Sequence, residues 1–164
     1  MEKKFGAYIC KCCGIGESVN IEKLVKYSAI AAKMQPDAVR VHDVLCGPAG
    51  IEMIKNDMKE GTNTLIIGAC SPRVKFEEFD FPGAITERVN LREFVAWSQD
   101  PNTDATQSIA EDYMKMGVIK TQKGNLPEPN ILPDLSKTIV VVGGGISGLT
   151  SALEAAEAGY EVVL

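Results

Sequence analysis

Five cysteines stand at three places in this chain, and each place follows an apolar run that is typical of a buried strand. The first place holds three thiols and the other two hold one each: Cys10, Cys12 and Cys13, then Cys46, then Cys70. If the three runs are parallel strands, their carboxyl ends lie along one edge of one sheet, where open α/β sheets gather ligands. The spacing therefore predicts that thiols far apart in sequence meet at this edge, and it indicates a metal site or a redox site.

Four of these cysteines could ligate an iron-sulfur cluster, because all-cysteine ligation needs four thiolates around a compact group of ions. The candidate metal ligands are Cys10, Cys12, Cys46 and Cys70, with Cys13 as a substitute or spare. Zinc accepts the same ligands tetrahedrally, but such sites usually pair two C-x2-C knuckles, and only Cys10 and Cys13 have that spacing. Two other interpretations stay open. They are a thiol site for persulfide or disulfide exchange, and Cys46 and Cys70 as small buried hydrophobic residues.

A glycine-rich turn between a strand pattern and a helix pattern is the second motif. Gly143, Gly145 and Gly148 match G-x-G-x-x-G. The first glycine permits the tight turn, the second lets backbone approach a pyrophosphate, and the third allows the helix to pack closely on the strand. The motif predicts dinucleotide binding at the positive end of the helix dipole. The acidic residue that binds the ribose, about 20 residues further on, would fall near or beyond Leu164.

Charged and aromatic residues near the motifs have less specific patterns. Arg73 and Lys75 follow the third strand, where a cation would stabilise a thiolate; a solvated surface position is the equal alternative for Arg73. His42, the single histidine, is expected to have a structural or exposed role. Trp97, together with Phe94, is expected in the core.

The composition argues against several classes of protein. The net charge of -5 and the isoelectric point near 5.0 argue against a nucleic-acid binder, because phosphate contacts need clustered Lys and Arg. No uninterrupted apolar run of about 18 residues predicts a membrane span, and the amino terminus has no signal-peptide pattern. We therefore expect a cytoplasmic protein, in which thiols stay reduced and clustered cysteines serve metal binding or catalysis.

The elements that would position these residues alternate between strand and helix. Strand patterns occupy 4–10, 37–45, 64–70 and 86–91, and helix patterns occupy 21–32, 48–60, 92–97 and 103–120. This alternation favours right-handed crossovers and a parallel sheet. The fold class is therefore α/β: a small three-layer domain with a mainly parallel sheet, followed by a truncated Rossmann-type βαβ unit.

Three segments describe the domain organisation. Residues 1–123 are expected to form the cysteine domain, 124–136 a proline-rich linker, and 137–164 the truncated start of a Rossmann-like domain. A βαβ unit of this size cannot bury both faces of its sheet. We therefore expect a fragment of a longer protein that is not active alone, with 137–164 loosely packed in isolation.

Five short pieces, spread over nearly the whole chain, form a specific combination. They are Tyr8-Ile9-Cys10-Lys11-Cys12, Leu45-Cys46 with Pro48 and Gly50, Ala69-Cys70-Ser71-Pro72-Arg73, Arg88-Val89-Asn90-Leu91-Arg92-Glu93, and Gly143-Gly144-Gly145-Ile146-Ser147-Gly148. With them, the chain resembles the N-terminal part of the A-type flavoprotein component of heterodisulfide reductase. The resemblance is closest to the branch found in the quinone-interacting membrane-bound oxidoreductase (Qmo) complex, as the B-type component of that complex.

The resemblance implies a parent flavoprotein that binds FAD and several iron-sulfur clusters. In this family a small α/β domain associated with a cluster precedes a flavin domain similar to thioredoxin reductase. Electrons pass among partner subunits of a heterodisulfide reductase-like or Qmo-like complex, in some members with flavin-based bifurcation.

Two sets of residues carry over from the family by position. They are the cysteine positions Cys10, Cys12, Cys46 and Cys70, and the glycines of the FAD pyrophosphate turn, Gly143, Gly145 and Gly148. The family commonly shows C-x-C-G at the first site, whereas Cys13 stands before Gly14 here. The choice between Cys12 and Cys13 therefore stays open.

Three hypotheses for function follow. The first is an electron-transfer module with a [4Fe-4S] cluster at the sheet edge, which passes electrons between the parent's flavin and a partner protein. The second is a docking domain without a cluster, which positions the flavin domain against other subunits. The third is a cysteine site that carries sulfur or exchanges disulfides. In each case we expect a cytoplasmic protein, peripheral to a membrane complex through its partners.

Overall fold

The computed structural model describes residues 2–131 and 135–164. Contacts between Cα atoms divide the chain into two units, Met1–Pro127 and Glu128–Leu164. The linker expected at 124–136 includes residues 132–134, which lie outside the described part of the chain.

The first unit alternates strands and helices along the chain. Its strands are β1 Phe5–Cys10, β2 Val39–His42, β3 Thr64–Ala69 and β4 Ile85–Asn90. Its α-helices are α1 Ile15–Ser18, α2 Ile21–Ala32, α3 Pro48–Lys59 and α4 Asp104–Lys123. Short 3-10 helices lie at Pro36–Ala38 and Glu77–Phe79, and a π-helical turn lies at Arg92–Ala96.

Local sequence signals explain where the long helices begin and end. Asn20 caps α2, because its side-chain oxygen accepts a hydrogen bond from the Lys23 backbone N–H at 2.9 Å. Pro48 opens α3 at a position where no N–H is needed. Gly61 follows α3 with a φ of 101°, a left-handed conformation that glycine adopts without steric cost.

The first unit has one four-stranded parallel sheet, in the order β2-β1-β3-β4. Cys10 is in register with His42 on β2, and Ile9 is in register with Gly68 on β3. Because all pairs are parallel, the carboxyl ends of the four strands reach the same edge. The predicted α/β fold class with a parallel sheet is therefore confirmed.

Helices cover both faces of this sheet, which makes three layers. Successive side chains of a strand point to opposite faces, and β1 shows this clearly. One face packs against α2 and α4, with Ala7, Ile9, Leu24, Met114 and Val118 in its core. The other face packs against α3, with Tyr8, Cys10, Leu45, Ile54 and Ile67 in its core.

Gly50 lets α3 pack directly on the turn that precedes it. A Cβ atom at this position would lie 2.6 Å from the Cα atom of Leu45. Leu45 is fully buried, so the backbone before Cys46 is clamped between α3 and the sheet.

The second unit is a small βαβ arrangement. Strand β5 Ile139–Val140 pairs in parallel with β6 Val162–Val163, and α5 Ile146–Glu157 connects them. None of the residues of α5 is buried. The structure thus has the Rossmann-type unit that the glycine turn predicted.

Two predictions about the first unit are wrong. Trp97 is 63% exposed and Phe94 is 53% exposed, although both were expected in the core. A single helical turn buries one face only, and Val95 occupies that buried face. The second strand is also shorter than 37–45, because a 3-10 helix precedes it and a turn follows it.

Candidate functional site

The cysteines all lie at the carboxyl edge of the sheet or in the loops that leave it. Cys10 is the last residue of β1, and Cys70 directly follows the neighbouring strand β3. Cys46 stands in the turn between β2 and α3, four residues past His42. The three strands that precede these cysteines are adjacent and parallel, as the sequence pattern predicted.

Cys10 is the most buried of the five thiols, with 3% of its surface exposed. Its Sγ accepts a hydrogen bond from the Leu45 backbone N–H at 3.4 Å and lies 3.7 Å from the carbonyl oxygen of Asp43. These contacts tie the turn that carries Cys46 to the end of β1. Cys10 and Cys46 also belong to the same apolar cluster on the α3 face.

Cys12 lies between two other thiols. Its Sγ is 3.4 Å from Cys10 Sγ and 3.2 Å from Cys13 Sγ. Burial raises the pKa of the Cys12 thiol, and the hydrogen bonds with Cys13 and Cys10 raise it further. Cys13 itself is exposed and adopts a φ of 60°, followed by Gly14 at 92°. The loop therefore presents a row of three sulfurs that runs from the core to the surface.

Cys70 has a different neighbour, the guanidinium group of Arg88. Arg88 Nη2 lies 3.2 Å from Cys70 Sγ. Burial raises the pKa of the Cys70 thiol, although the charges of Arg88 and Arg92 act against it. The Cys46 thiol is a further, smaller influence that raises the Cys70 pKa.

The cations beside the thiols are mostly not those that the sequence suggested. Arg73 is exposed, and Lys75 forms an ion pair with Glu78 at 2.9 Å. Arg88 and Arg92, on and just after β4, contact the sulfurs instead. Sequence reasoning missed both roles because β4 carries no cysteine. One signal was available: a charged residue inside a parallel strand is unusual and needs a partner.

Arg92 anchors the first cysteine loop. Its Nη1 lies 4.0 Å from Cys13 Sγ, and its guanidinium carbon lies 4.6 Å from the ring centroid of Trp97. The Trp97 indole Nε1–H donates to the carbonyl oxygen of Cys13 at 3.0 Å. Trp97 is therefore a surface residue that holds the cysteine loop, not a core residue.

The thiols do not form a single assembled ligand set in this conformation. Within residues 2–131 and 135–164, no group of three or more His, Cys, Asp or Glu side chains is arranged to hold a metal ion. His42 is engaged locally, since its Nδ1 accepts from the Val44 backbone N–H at 3.0 Å. All-thiol ligation at this edge would therefore require cysteine side chains to turn toward one another.

The glycine turn of the second unit has the geometry that its motif requires. Gly143 has a φ of 114°, in the left-handed region that favours glycine. A Cβ at Gly148 would collide with the carbonyl oxygen of Gly143, so only glycine lets α5 approach the turn this closely. A Cβ at Gly144 or Gly145 would meet no atom within 4 Å. The backbone at the start of α5 is thus open to a phosphate group.

In the part of the chain that the structure describes, no helix has the length and apolar character needed to cross a membrane.

The second unit corresponds to a known flavin-binding sequence. Residues 138–164 match the family described as FAD binding domain. An FAD-binding domain is therefore supported at the position where the glycine turn predicted a dinucleotide site.

Curated relatives match almost the entire chain, and they are A-type components of heterodisulfide reductases or proteins like them. The chain is 34% identical over 99% of its length to the A-like heterodisulfide reductase protein of Archaeoglobus profundus. It is 32% identical over 99% to the second A-type iron-sulfur component of the CoB–CoM heterodisulfide reductase of Methanopyrus kandleri. It is 32% identical over 98% to the A-type component of the ferredoxin:CoB-CoM heterodisulfide reductase of Methanosarcina mazei. The chain covers 24%, 26% and 21% of these proteins, so it spans about a quarter of their length.

Proposed function

We propose that residues 1–123 are an electron-transfer module of an iron-sulfur flavoprotein oxidoreductase. The module holds a [4Fe-4S] cluster and relays electrons between the flavin and partner subunits. One observation carries the proposal: three adjacent parallel strands deliver cysteines to one edge of the sheet. The name of the Methanopyrus kandleri relative, an iron-sulfur component, supports it further.

The donor set at the edge suits this cofactor in its chemistry. The residues that would hold the cluster are Cys10, Cys12, Cys46 and Cys70. Bound there, the cluster would supply one-electron transfer. Thiolate is the usual ligand of such clusters, and hydrogen bonds to sulfur together with nearby charge tune their potentials. The chain provides the Leu45 N–H beside Cys10 and the Arg88 guanidinium beside Cys70.

The second unit supplies the flavin part of the proposal. Gly143, Gly145 and Gly148 would hold the FAD pyrophosphate against the start of α5. We further propose that the partners are the other components of a heterodisulfide reductase-like complex, in the cytoplasm. The narrower assignment to the Qmo branch, with its attachment to a membrane through partner subunits, rests on the resemblance of the sequence pieces alone.

Anaerobic reconstitution of the 164-residue chain with iron and sulfide tests the proposal. Iron, labile sulfide and visible absorption are measured, and we expect near-stoichiometric cluster. Cys46→Ser and Cys70→Ser should each abolish it, because each removes a ligand. Cys13→Ser is the matched control and should leave the cluster content unchanged.

The outcomes separate the proposal from its alternatives. No uptake of iron, with an unchanged fold in the cysteine variants, contradicts the electron-transfer module and favours a docking domain. A cluster that survives Cys12→Ser but is lost in Cys13→Ser would identify Cys13 as the ligand in place of Cys12, and the electron-transfer module would stand.

Thiol exchange is a second candidate, favoured by the row of sulfurs at Cys10, Cys12 and Cys13. Because the pKa of Cys12 is raised, we assign the attack to the exposed Cys13. Its thiolate would attack a disulfide and release one thiol, and Cys12 would then displace the second thiol to close a Cys12–Cys13 disulfide. Mass spectrometry after treatment with an excess of oxidised glutathione, which accepts the two electrons, would detect that bond, and its absence would exclude this route.

A further inference from the structure

Arg88 links a strand without cysteines to the cysteine loop of the neighbouring strand. Its Nη2 lies 3.1 Å from the carbonyl oxygen of Cys70 and 3.2 Å from those of Ser71 and Val74. The same nitrogen lies 3.2 Å from Cys70 Sγ. One terminal nitrogen thus faces four acceptors, all within residues 70–74.

The Arg88 side chain is itself held in place. Strand register sets Arg88 beside Ile67 on β3. The guanidinium carbon lies 4.1 Å from the ring centroid of Phe79, a cation–π contact. Burial lowers the pKa of Arg88, while the Cys70 thiol acts to raise it. A fixed guanidinium of this kind is a rigid support rather than a mobile surface charge.

A second hydrogen bond, to a residue just after β4, holds the 70–74 loop. The Ser71 backbone N–H donates to Glu93 Oε2 at 2.8 Å, and Glu93 is held by Arg92 at 2.6 Å. The loop after β3 is therefore bound at two points by side chains that lie on β4 or just after it.

We infer that Arg88 is a positioning residue for Cys70. It holds the 70–74 loop in one conformation and keeps a positive charge against the sulfur. In a ligated site, that charge favours the more negative, reduced state and raises the reduction potential. The inference rests on the proposed function only for its effect on the potential. The effect on the loop concerns the protein chain alone.

The side chain at Arg88 also has a donor to spare. Arg88 Nε is buried and has no hydrogen-bond partner among the described residues. A buried donor without a partner is costly, so packing alone does not account for an arginine here. The contacts of Arg88 Nη2 with the 70–74 loop are the interactions that offset this cost.

The first arm of the test uses the chain without metal. Arg88→Gln removes the positive charge and the planar guanidinium group with its several N–H donors. Arg73→Gln is the matched control, since Arg73 is the exposed cation of the same loop. We expect amide hydrogen exchange at Val74 to become about tenfold faster in Arg88→Gln, because charge-assisted hydrogen bonds that restrain local opening are lost. Arg73→Gln should match the wild type.

The second arm measures the reduction potential after anaerobic reconstitution. We expect a lower potential in Arg88→Gln. Arg88→Lys should recover most of the reduction potential, because it keeps the positive charge. It should not restore the slow amide exchange at Val74, because it lacks the guanidinium group.

The outcomes distinguish failure of this inference from failure of the proposed function. If the wild type takes up no iron, the electron-transfer module is wrong, and the rate of amide exchange at Val74 still decides the role of Arg88. Equal rates in Arg88→Gln and the wild type, or equal acceleration in Arg73→Gln, would overturn the inference. If Arg88→Gln unfolds globally, the decision passes to Arg88→Lys, whose exchange at Val74 must exceed that of the wild type.

Discussion

Tyr8→Phe is the substitution whose effect the structure defines most closely. Tyr8 is fully buried in β1, and its hydroxyl donates to Asp57 Oδ2 at 3.1 Å. A hydrogen bond to a charged group stabilises a fold by about 1.5–3 kcal/mol. Asp57 also pairs with Arg40 at 3.3 Å and keeps that partner in the variant. We therefore expect Tyr8→Phe to lower the free energy of unfolding by an amount near the lower end of that range, about 1.5 kcal/mol at neutral pH.

The same residue should make stability depend on alkaline pH. Burial raises the pKa of Tyr8 above its ordinary value of 10.0, and the neighbouring Asp57 charge raises it further. A raised pKa in the folded state means that the stabilisation is complete below pH 10.0 and is lost as the pH rises above that value. From about pH 9 to about pH 11 the loss is roughly 1.4 kcal/mol.

Urea unfolding followed by circular dichroism measures both effects. The destabilisation caused by Tyr8→Phe should be about 1.5 kcal/mol near pH 9 and almost vanish near pH 11. The Cys12 and Cys70 thiols have raised pKa values too, so the difference between variant and wild type is the quantity to compare. Tyr113→Phe is the control, because the Tyr113 hydroxyl has no hydrogen-bond partner among the described residues. A constant difference across this pH range would refute the reasoning.

Two further predictions concern packing. Gly50→Ala adds a Cβ 2.6 Å from Leu45 Cα; strain of about 1–3 kcal/mol should exceed the helix-propensity gain of about 1 kcal/mol, so urea unfolding should show a net loss. Glu52→Ala, a substitution at an exposed position of the same helix, should leave the free energy of unfolding nearly unchanged. A Gly50→Ala variant more stable than the wild type would contradict the close approach of α3 to Leu45. In the second unit, α5 has no buried residue, so its amides should exchange rapidly. Uniformly protected, sharp amide signals across 139–164 would show that the unit packs on its own.

Much of the fold could be read from local patterns. Buried runs of strand length alternate with capped amphipathic helices, and that alternation is enough to imply a parallel sheet. The helix start at Pro48 and the stop at Gly61 follow from backbone chemistry that involves few neighbours. The surface position of Trp97 could not be read in this way. An apolar ring in a short helical turn is buried or exposed according to which neighbour fills the core, and here Val95 does.

For the cysteine site, the chain order of strands and thiols was sufficient to place Cys10, Cys46 and Cys70 at one edge. That placement follows from strand direction alone. The identity of the cations beside the sulfurs was decided in three dimensions. Arg88 and Arg92 are 18 and 79 residues from the cysteines that they contact. The pairing of β4 with β3 brings Arg88 to Cys70, and the further pairing of β3 with β1 brings Arg92 to Cys13, because hydrogen-bonding reach is a property of space and not of sequence distance.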